Sequence, residues 1–306
     1  MQRVKLIING KEVEAPVGST ILEAAELVGV DIPRLCYDPD LSPLGACRLC
    51  VVEVKGNRLL PASCVTPVTE GMEVQTESPA VIEARKTILE LLVANHPLDC
   101  MTCDKMGDCR LADYCYRYNV KESPFTGEKH AYAIDDSNPF IIRDLNKCIL
   151  CGACVRACEE MTGQDNLSYL YRGFNRKATT AGDVPYIESD CVFCGQCVAV
   201  CPTGALTEKS MAGQARRWDI EKVRTTCPFC GTGCNFDLAV KDGKIIGVLS
   251  AEDAPVNGRM LCVKGRFGWD FIYNERRLTS PLIKKNGQFV EATWDEAFDL
   301  IAEKFN

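Results

Sequence analysis

The sequence lacks several features that would assign it to a common class of protein. None of its 306 residues falls in a run approaching the ~18 apolar residues that a membrane-spanning helix needs. The first nine residues do not contain the apolar segment of a secretory signal. Acidic residues outnumber basic ones by 42 to 35 and basic tracts are missing, which argues against nucleic acid as a partner. We therefore predict a cytoplasmic protein without a membrane span.

Catalytic motifs of the common enzyme classes are also missing. We find no Ser-His-Asp set, no phosphate-binding P-loop, and no GxGxxG after a predicted strand. Gly231 and Gly233 lie between cysteines, so we interpret them as glycines of a ligand loop. We assign no catalytic residue, and whether the chain is an enzyme in its own right is left open.

Cysteine, by contrast, is abundant, with 20 residues. Secreted disulfide scaffolds are usually much shorter, and these cysteines recur in CxxC clusters, which indicates metal ligation in a reducing compartment. Thiolates are the usual ligands of iron–sulfur clusters, which need four converging ligands each. Structural zinc takes similar ligands. An interaction protein stabilised by zinc therefore stays as the non-redox alternative.

The spacing divides 19 cysteines and one histidine into five sets of four predicted iron ligands. The first set has a long first loop, a CxxC and a distant fourth cysteine, which favours a [2Fe–2S] cluster, and the other four favour [4Fe–4S] clusters. The sets, numbered first to fifth, are Cys36, Cys47, Cys50 and Cys64; His96, Cys100, Cys103 and Cys109; Cys148, Cys151, Cys154 and Cys201; Cys191, Cys194, Cys197 and Cys158; and Cys227, Cys230, Cys234 and Cys262.

The third and fourth sets come from an internal repeat, because the CxxCxxCxxxC run at Cys148 recurs at Cys191, 43 residues later. In ferredoxins with two clusters, the last cysteine of each run ligates the other cluster. Cys201 therefore completes the third set, and Cys158 completes the fourth.

The two histidines receive different interpretations. His96 precedes a CxxC by four residues, so we predict an imidazole ligand, which should raise the reduction potential of the second cluster. His130 has no such neighbour and is predicted to be a loop residue. Cys115 is left over, and we expect a buried small apolar side chain near the second set.

Local patterns predict several helices and strands. Asn9-Gly10 and Asp242-Gly243 favour the tight turns of two hairpins, over residues 4–15 and 236–249. Further strands are expected at 51–54 and 72–74. Capping residues predict helices at 20–28, from Ser78, and at 294–305. The inward face of the second helix is predicted to contain Val81, Ala84, Ile88, Leu91 and Leu92.

These patterns predict an α+β protein of several domains. We expect a small β-rich [2Fe–2S] domain, a helical [4Fe–4S] segment with one histidine and three cysteine ligands, a connector, a two-cluster domain, a polar linker, a small β-rich [4Fe–4S] domain, and a short end with one helix. Their predicted limits are 1–77, 78–118, 119–147, 148–208, 209–222, 223–275 and 276–306.

The order of the motifs resembles that of known redox proteins. Residues 1–207 resemble the N-terminal half of three subunits: the large iron–sulfur subunit of NADH–quinone oxidoreductase, the catalytic subunit of multimeric iron-only hydrogenases, and the alpha subunit of NAD-dependent formate dehydrogenase. The stretch from Cys227 to Phe271 looks like the cluster domain of molybdopterin oxidoreductases, closest to formate dehydrogenase. The resemblance implies a β-grasp ferredoxin fold for the first domain, a bacterial ferredoxin-like fold for the two-cluster domain, and a position for Lys264 between cluster and pterin.

In these families the resembling module connects a flavin-bearing partner with a second redox site. The residues after Cys262 include neither Cys nor His, and we expect them to be too few to enclose a pterin. We therefore predict an electron-transfer subunit that binds no flavin or pterin alone. Its expected partners are a flavin- and NAD(P)-binding subunit, a further redox subunit and ferredoxin, as in an electron-bifurcating NADH/ferredoxin/NADP transhydrogenase. The alternative is the N-terminal part of a molybdenum- or tungsten-dependent formate dehydrogenase.

Overall fold

The computed structural model describes residues 2–305 of the chain. They form two compact units, of which the first ends at Arg266 and the second begins at Phe267. Both units combine short helices with small β-sheets, in agreement with the predicted α+β class.

The N-terminal sheet is mixed, with its strands in the order β2-β1-β4-β3. These strands are β1 (Arg3–Ile8), β2 (Lys11–Pro16), β3 (Glu53–Val54) and β4 (Glu73–Gln75). The predicted hairpin of β1 and β2 is confirmed, and both Asn9 and Gly10 of its turn have positive φ. Strand β4 runs parallel to β1 and antiparallel to β3. The third strand is shorter than predicted because Val51 forms an isolated bridge with Ala62.

Helix α1 (Ile21–Leu27) packs against this sheet and begins at the predicted capping box. The Glu23 amide donates to Thr20 Oγ1, and the Thr20 amide donates to the Glu23 carboxylate at 2.7 Å. Four hydrogen-bonding groups are thus satisfied at the helix start. Alternate strand residues and one face of the helix form the core, which includes Leu6, Ile8, Val13, Ile21, Leu22 and Val74.

Helix α2 (Pro79–Ala94) begins at Ser78 as predicted, and the face that it buries overlaps the predicted one. Val81 is buried, and Ile88 and Leu92 are partly buried and pack against a cluster of buried residues, in agreement with the prediction. The prediction was wrong for Leu91, which is 56% exposed. The most buried positions of the helix are Val81, Arg85, Leu89 and Val93. A pattern of apolar residues cannot place Arg85 inside.

The segment between residues 119 and 147 is mostly irregular, but it contains a strand that the sequence did not indicate. This strand, β5 (Ile141–Arg143), pairs antiparallel with β8 (Leu206–Glu208), so the chain on either side of the repeat is joined in one small sheet. A second pair lies between the two halves of the repeat and consists of β6 (Leu167–Leu170) and β7 (Lys177–Thr180).

The two halves of the repeat have the same local conformation. Leu150 and Phe193 both have φ near 55°, and the glycines two residues later both have φ near 75°. A short helix then starts in each half, α4 (Ala153–Arg156) and α5 (Gln196–Val200). The region before them also contains helix α3 (Arg110–Arg117), whose N-cap is Cys109.

The last sheet of the first unit has the strand order β11-β10-β9. Its strands are β9 (Glu221–Thr226), β10 (Asn235–Lys241) and β11 (Lys244–Ser250). The predicted hairpin of β10 and β11 is confirmed. Strand β9 was not predicted, and it begins within residues 209–222, which also contain two 3-10 turns. This segment is therefore more ordered than the linker that its polar composition indicated.

Helix α6 (Val263–Phe267) ends at the boundary of the units. The second unit contains a 3-10 helix (Gly268–Tyr273), a hairpin of β12 (Leu282–Lys285) and β13 (Gln288–Glu291), and helix α7 (Trp294–Phe305). The predicted capping of α7 by Thr293 and Glu296 is confirmed. Among residues 2–305, the structure has no helix with the length and apolar character needed to cross a membrane.

Candidate iron–sulfur sites

All 20 cysteines are free thiols, so none of them is used in a disulfide. Within the described chain, no three His, Cys, Asp or Glu side chains come close enough to ligate a single metal ion together. An iron–sulfur cluster spans several atoms, and its ligands surround a cavity rather than one point. The fit of the predicted sets is therefore judged from shared cavities, contacts between sulfurs and unpaired donor atoms.

The four sulfurs of the first set are buried next to one another. Cys50 Sγ lies 3.3 Å from Cys64 Sγ, and the Cys47 amide donates to Cys36 Sγ at 3.4 Å. Hydrogen bonds from the Cys47 and Cys64 thiols lower the pKa of Cys36. The same pair interactions and burial raise the pKa of Cys47 and of Cys64. This compact group of buried thiols fits the four ligands that a [2Fe–2S] cluster requires.

The second set lies where α2 ends and α3 begins. His96 is 9% exposed, and its buried Nδ1 has no hydrogen-bond partner. Burial lowers the pKa of His96, which keeps the imidazole neutral, as a metal ligand must be. The Cys103 sulfur leaves so little room that a Cβ added to Gly204 would lie 2.7 Å from it. The Cys103 thiol is an electrostatic neighbour of both Cys100 and Cys109. An unpaired buried imidazole nitrogen on the segment that leads into these three thiols fits a cluster with one histidine ligand.

Cys115 is more exposed than predicted: it is only partly buried, and it packs against a cluster of buried residues that includes Leu35, Leu89 and Leu111. Burial raises its pKa to about 11, and the Cys109 and Cys100 thiols add to this effect. Its position near the second set agrees with the prediction. His130 lies in the irregular segment as predicted, where its ring stacks on Tyr132 at 4.8 Å and contacts Phe174.

The eight cysteines of the third and fourth sets line two cavities, four in each. One cavity is lined by Cys148, Cys151 and Cys154 together with Cys201. A second cavity is lined by the remaining four cysteines of the repeat, Cys191, Cys194, Cys197 and Cys158. Each run thus contributes three sulfurs to its own cavity and one to the other, which is the crossed arrangement of ferredoxins with two clusters.

The two cavities also have the same polar contacts. The Leu150 amide donates to Cys148 Sγ and the Phe193 amide donates to Cys191 Sγ, both at 3.4 Å. Burial raises the pKa of Cys148 to about 11 and that of Cys151 to about 12. Burial therefore opposes the thiolate form, and iron would supply the positive charge that stabilises it.

The fifth set lies at the loop between β9 and β10 and at the start of α6. The Cys227 amide donates to the Cys234 carbonyl at 2.8 Å, and the electrostatic neighbours of Cys234 are the other three cysteines of the set. Cys230 and Cys262 are exposed. A hydrogen bond with Thr232 lowers the pKa of Cys230, and Lys264 lowers it further. The four cysteines are thus brought together, with Cys227 buried, Cys234 half-buried and the other two at the surface.

Sequence reasoning missed three arginines beside these sites, of which Arg156 and Arg266 are buried. Arg156, Arg216 and Arg266 each donate to a carbonyl oxygen of a cysteine that is distant in sequence. Of the three, only Arg156 lies within a cysteine run, and an isolated arginine is usually a surface residue. No spacing or composition signal identifies these contacts, because they join different parts of the chain.

The sets and the fold define an α+β protein built from several iron–sulfur domains, and comparison with known families agrees. Five family models match consecutive segments. They are the 2Fe-2S iron-sulfur cluster binding domain (1–79), the NADH-ubiquinone oxidoreductase-G iron-sulfur binding region (85–124), the 4Fe-4S dicluster domain (147–205), the molybdopterin oxidoreductase Fe4S4 domain (220–274) and molybdopterin oxidoreductase (277–306).

Individual relatives extend over almost the whole chain. An NADH-quinone oxidoreductase subunit of Rhizobium meliloti (strain 1021) is 40% identical over 98% of this chain and 35% of its own length. The NADPH-Fe(3+) oxidoreductase subunit alpha of Geobacter sulfurreducens (strain DL-1 / KN400) is 38% identical over 98% of this chain and 34% of its own. A chain in a crystal structure of an NAD+-reducing [NiFe]-hydrogenase superposes with a TM-score of 0.64 and 34% identity, covering 69% of this chain and 90% of that chain.

The chain belongs to the family of N-terminal iron–sulfur regions found in the large iron–sulfur subunit of NADH–quinone oxidoreductase and in formate dehydrogenase-like subunits. It is an iron–sulfur electron-transfer region of such oxidoreductase subunits. It spans about a third of the length of the curated relatives that it matches. The resemblance inferred from the motifs is thus confirmed.

Proposed function

We propose that this chain relays single electrons between a flavin- and NAD(P)-binding subunit and a second redox subunit. The five sets would hold one [2Fe–2S] and four [4Fe–4S] clusters, within the domain limits that the sequence predicts. The observation that carries the proposal is the crossed pair of cavities, each lined by four cysteines of the repeat. When bound, the clusters supply one-electron redox chemistry, and a flavin in a partner subunit converts hydride transfer into single-electron steps.

The residues of the chain hold, shield and tune these sites. Cysteines of the first set are at most 9% exposed, so this site is shielded from water. Amide donors to sulfur, as at Cys148 and Cys191, stabilise negative charge on the ligands. The fifth set is different, because Cys230 and Cys262 are exposed. This exposure supports a role for the fifth set as the place where electrons pass to or from the second redox subunit.

The type of the second redox centre is proposed from the C-terminal segment. Residues 277–306 match the molybdopterin oxidoreductase family directly after its Fe4S4 domain. This match favours a molybdopterin-type centre, as in a molybdenum- or tungsten-dependent formate dehydrogenase. An electron-bifurcating transhydrogenase, with ferredoxin as a partner, stays the other candidate. Purification of the native complex separates them, since molybdenum or tungsten with pterin supports the first, and a second flavin subunit without pterin supports the second.

Metal analysis of the anaerobically purified chain tests the relay itself. We expect about 18 iron atoms and about 18 acid-labile sulfides per chain, with paramagnetic signals after reduction by dithionite. Substitution Cys154→Ser should remove about four iron atoms, because a [4Fe–4S] site loses a ligand. The matched control Cys115→Ser should keep the full iron content. A colourless protein that holds zinc in place of iron would refute the relay and support the interaction protein.

A further inference from the structure

Three arginines bind main-chain carbonyl groups of predicted ligand cysteines in other sets, at sequence separations between 72 and 120 residues. The contacts are Arg156 Nη2 to Cys36 O at 2.5 Å, Arg216 Nη1 to Cys103 O at 2.6 Å, and Arg266 Nε to Cys194 O at 3.1 Å. Each guanidinium makes at least one further hydrogen bond to the same site or to a neighbouring element.

Arg156 joins the first set to the repeat. It lies in α4 between the ligands Cys154 and Cys158, and it is 7% exposed. Besides Cys36, it donates to the carbonyl of Ser42, and the Ser42 amide in turn donates to Glu160 at 2.7 Å. The loop of the first set is thus held directly against the helix that carries ligands of the third and fourth sets.

Arg216 joins the segment before β9 to the loop of the second set. Its second donor contacts the Met101 carbonyl at 2.5 Å, so the fork spans both sides of Thr102. The next residue adds a contact between the same two segments, because Arg217 pairs with Asp108 at 2.9 Å. The Trp218 ring lies so close to Gly107 that an added Cβ would be 2.6 Å from it.

Arg266 joins the fourth and fifth sets. It follows the ligand Cys262 by four residues and is 3% exposed. Its Nη2 donates to Gln196 Oε1 at 2.5 Å and to Ser250 Oγ at 3.1 Å. Gln196 lies next to the ligand Cys197. One buried cation is therefore fixed between two cluster sites that come from different domains.

We propose that Arg156, Arg216 and Arg266 are positioning residues that set the distances between neighbouring clusters and raise the reduction potentials of the sites they touch. This inference rests on the proposed relay. A guanidinium fork makes two directed, charge-assisted hydrogen bonds, which fix orientation as well as distance. Electron transfer slows steeply with distance, so fixed spacing matters. A cation beside a cluster also favours the reduced form, which is the more negative one.

Substitutions of Arg266 in the complete chain separate charge from geometry. Arg266→Gln removes both the charge and the fork, while Arg266→Lys keeps the charge alone. The matched control is Arg224→Gln, which removes an exposed cation of β9 that pairs with Asp237 and Asp253. The measurements are iron content, paramagnetic signals during a redox titration, and the magnetic coupling between neighbouring reduced clusters.

For Arg266→Gln we expect full iron content. The reduction potential of one cluster should become more negative by ~59 mV, which is a tenfold change in the equilibrium constant of a one-electron reduction. Arg266→Lys should restore the potential but not the coupling between clusters, and Arg224→Gln should change neither. The same series at Arg156 should shift the signal of the first set. Wild-type potential and coupling in the Gln variants would overturn the proposal.

If a Gln variant loses iron, the test is the magnetic coupling between neighbouring clusters in the Lys variant. Altered coupling there would support the positioning role, and unchanged coupling would overturn it. Failure of the relay itself gives a different result. In that case the unsubstituted chain has no reducible iron–sulfur signal at all.

Discussion

At the scale of single residues, Gly204 shows how closely the chain surrounds the second set. An added Cβ would lie 2.7 Å from Cys103 Sγ and 3.3 Å from the Lys147 side chain, so Gly204→Ala should displace the sulfur. We expect the loss of about four iron atoms from the protein. The control Gly127→Ala meets no atom within 4 Å and should keep all the iron. A Gly204→Ala variant with full iron content would contradict this view of the site.

The two histidines allow a second comparison between residues. Replacing His96 by Cys should keep the second cluster but exchange a neutral ligand for a thiolate, so that its potential becomes more negative. A redox titration followed by paramagnetic resonance measures the shift. His130 stacks on Tyr132 and belongs to none of the sets, so His130→Ala should leave the potential of the second cluster unchanged. An equal shift in both variants would show that His96 is not a ligand.

Glu208 provides a pH-dependent contribution to stability. Burial raises its pKa from the usual 4.5 to about 7, against smaller lowering effects of Ser210, Arg266 and Arg217. The folded protein therefore binds a proton that the unfolded chain releases, and this stabilisation is lost as the pH rises through the folded pKa. Between about pH 6 and about pH 8.5 the wild type should lose about 1.4 kcal/mol of unfolding free energy, because one pKa unit corresponds to about 1.36 kcal/mol. In urea unfolding, Glu208→Gln should lack this loss, and an equal loss in both proteins would refute it.

At the scale of elements, Arg85 explains how α2 is fixed between two regions. Its fully buried guanidinium donates to Glu77 at 2.9 Å, to Tyr118 Oη at 2.8 Å and to the Val51 carbonyl at 2.9 Å. Arg85→Ala removes this donor from the Val51 carbonyl and from Tyr118 Oη, while Glu77 keeps its pair with Arg117, and it should destabilise the protein by about 3 kcal/mol. The neighbouring Lys86→Ala lies on the same helix and should cost no more than about 0.5 kcal/mol. Equal midpoints of denaturation for the two variants would contradict the assignment.

The same helix shows what the sequence can and cannot predict. Hairpin turns at Asn9 and Asp242 and the caps at Thr20 and Thr293 depend on residues within a few positions, and these predictions are confirmed. The buried face of α2 depends on Arg85, whose partners lie far away in the chain.

Strands β5 and β9 were missed for a similar reason. Strand β5 has only three residues and is defined by pairing with β8, about 65 residues further on. Strand β9 is polar and largely exposed, so it has no alternating apolar pattern. The sequence can divide the cysteines into sets more readily than it can pair short strands, because ligand spacing within a loop is local. The crossed cavities of the repeat needed only one additional rule about the fourth cysteine.

At the scale of the whole molecule, the predicted cluster ligands all belong to the first of the two compact units. All 20 predicted ligands precede Phe267, where the second unit begins. The second unit instead has apolar side chains on α7 that are largely exposed, among them Trp294 and Phe298. We therefore expect that changes to the second unit leave cluster binding by the first unit intact.

A shortened chain tests this separation. A protein that ends after Glu275 retains every predicted ligand and the 3-10 helix that follows α6. We expect it to hold the same iron and sulfide as the complete chain, about 18 of each, and to give the same reduced signals, because no ligand is removed. As a control, the further change Cys262→Ser in the shortened chain should remove about four iron atoms. A loss of about four iron atoms on shortening alone would show that residues 276–306 are needed to hold the fifth site.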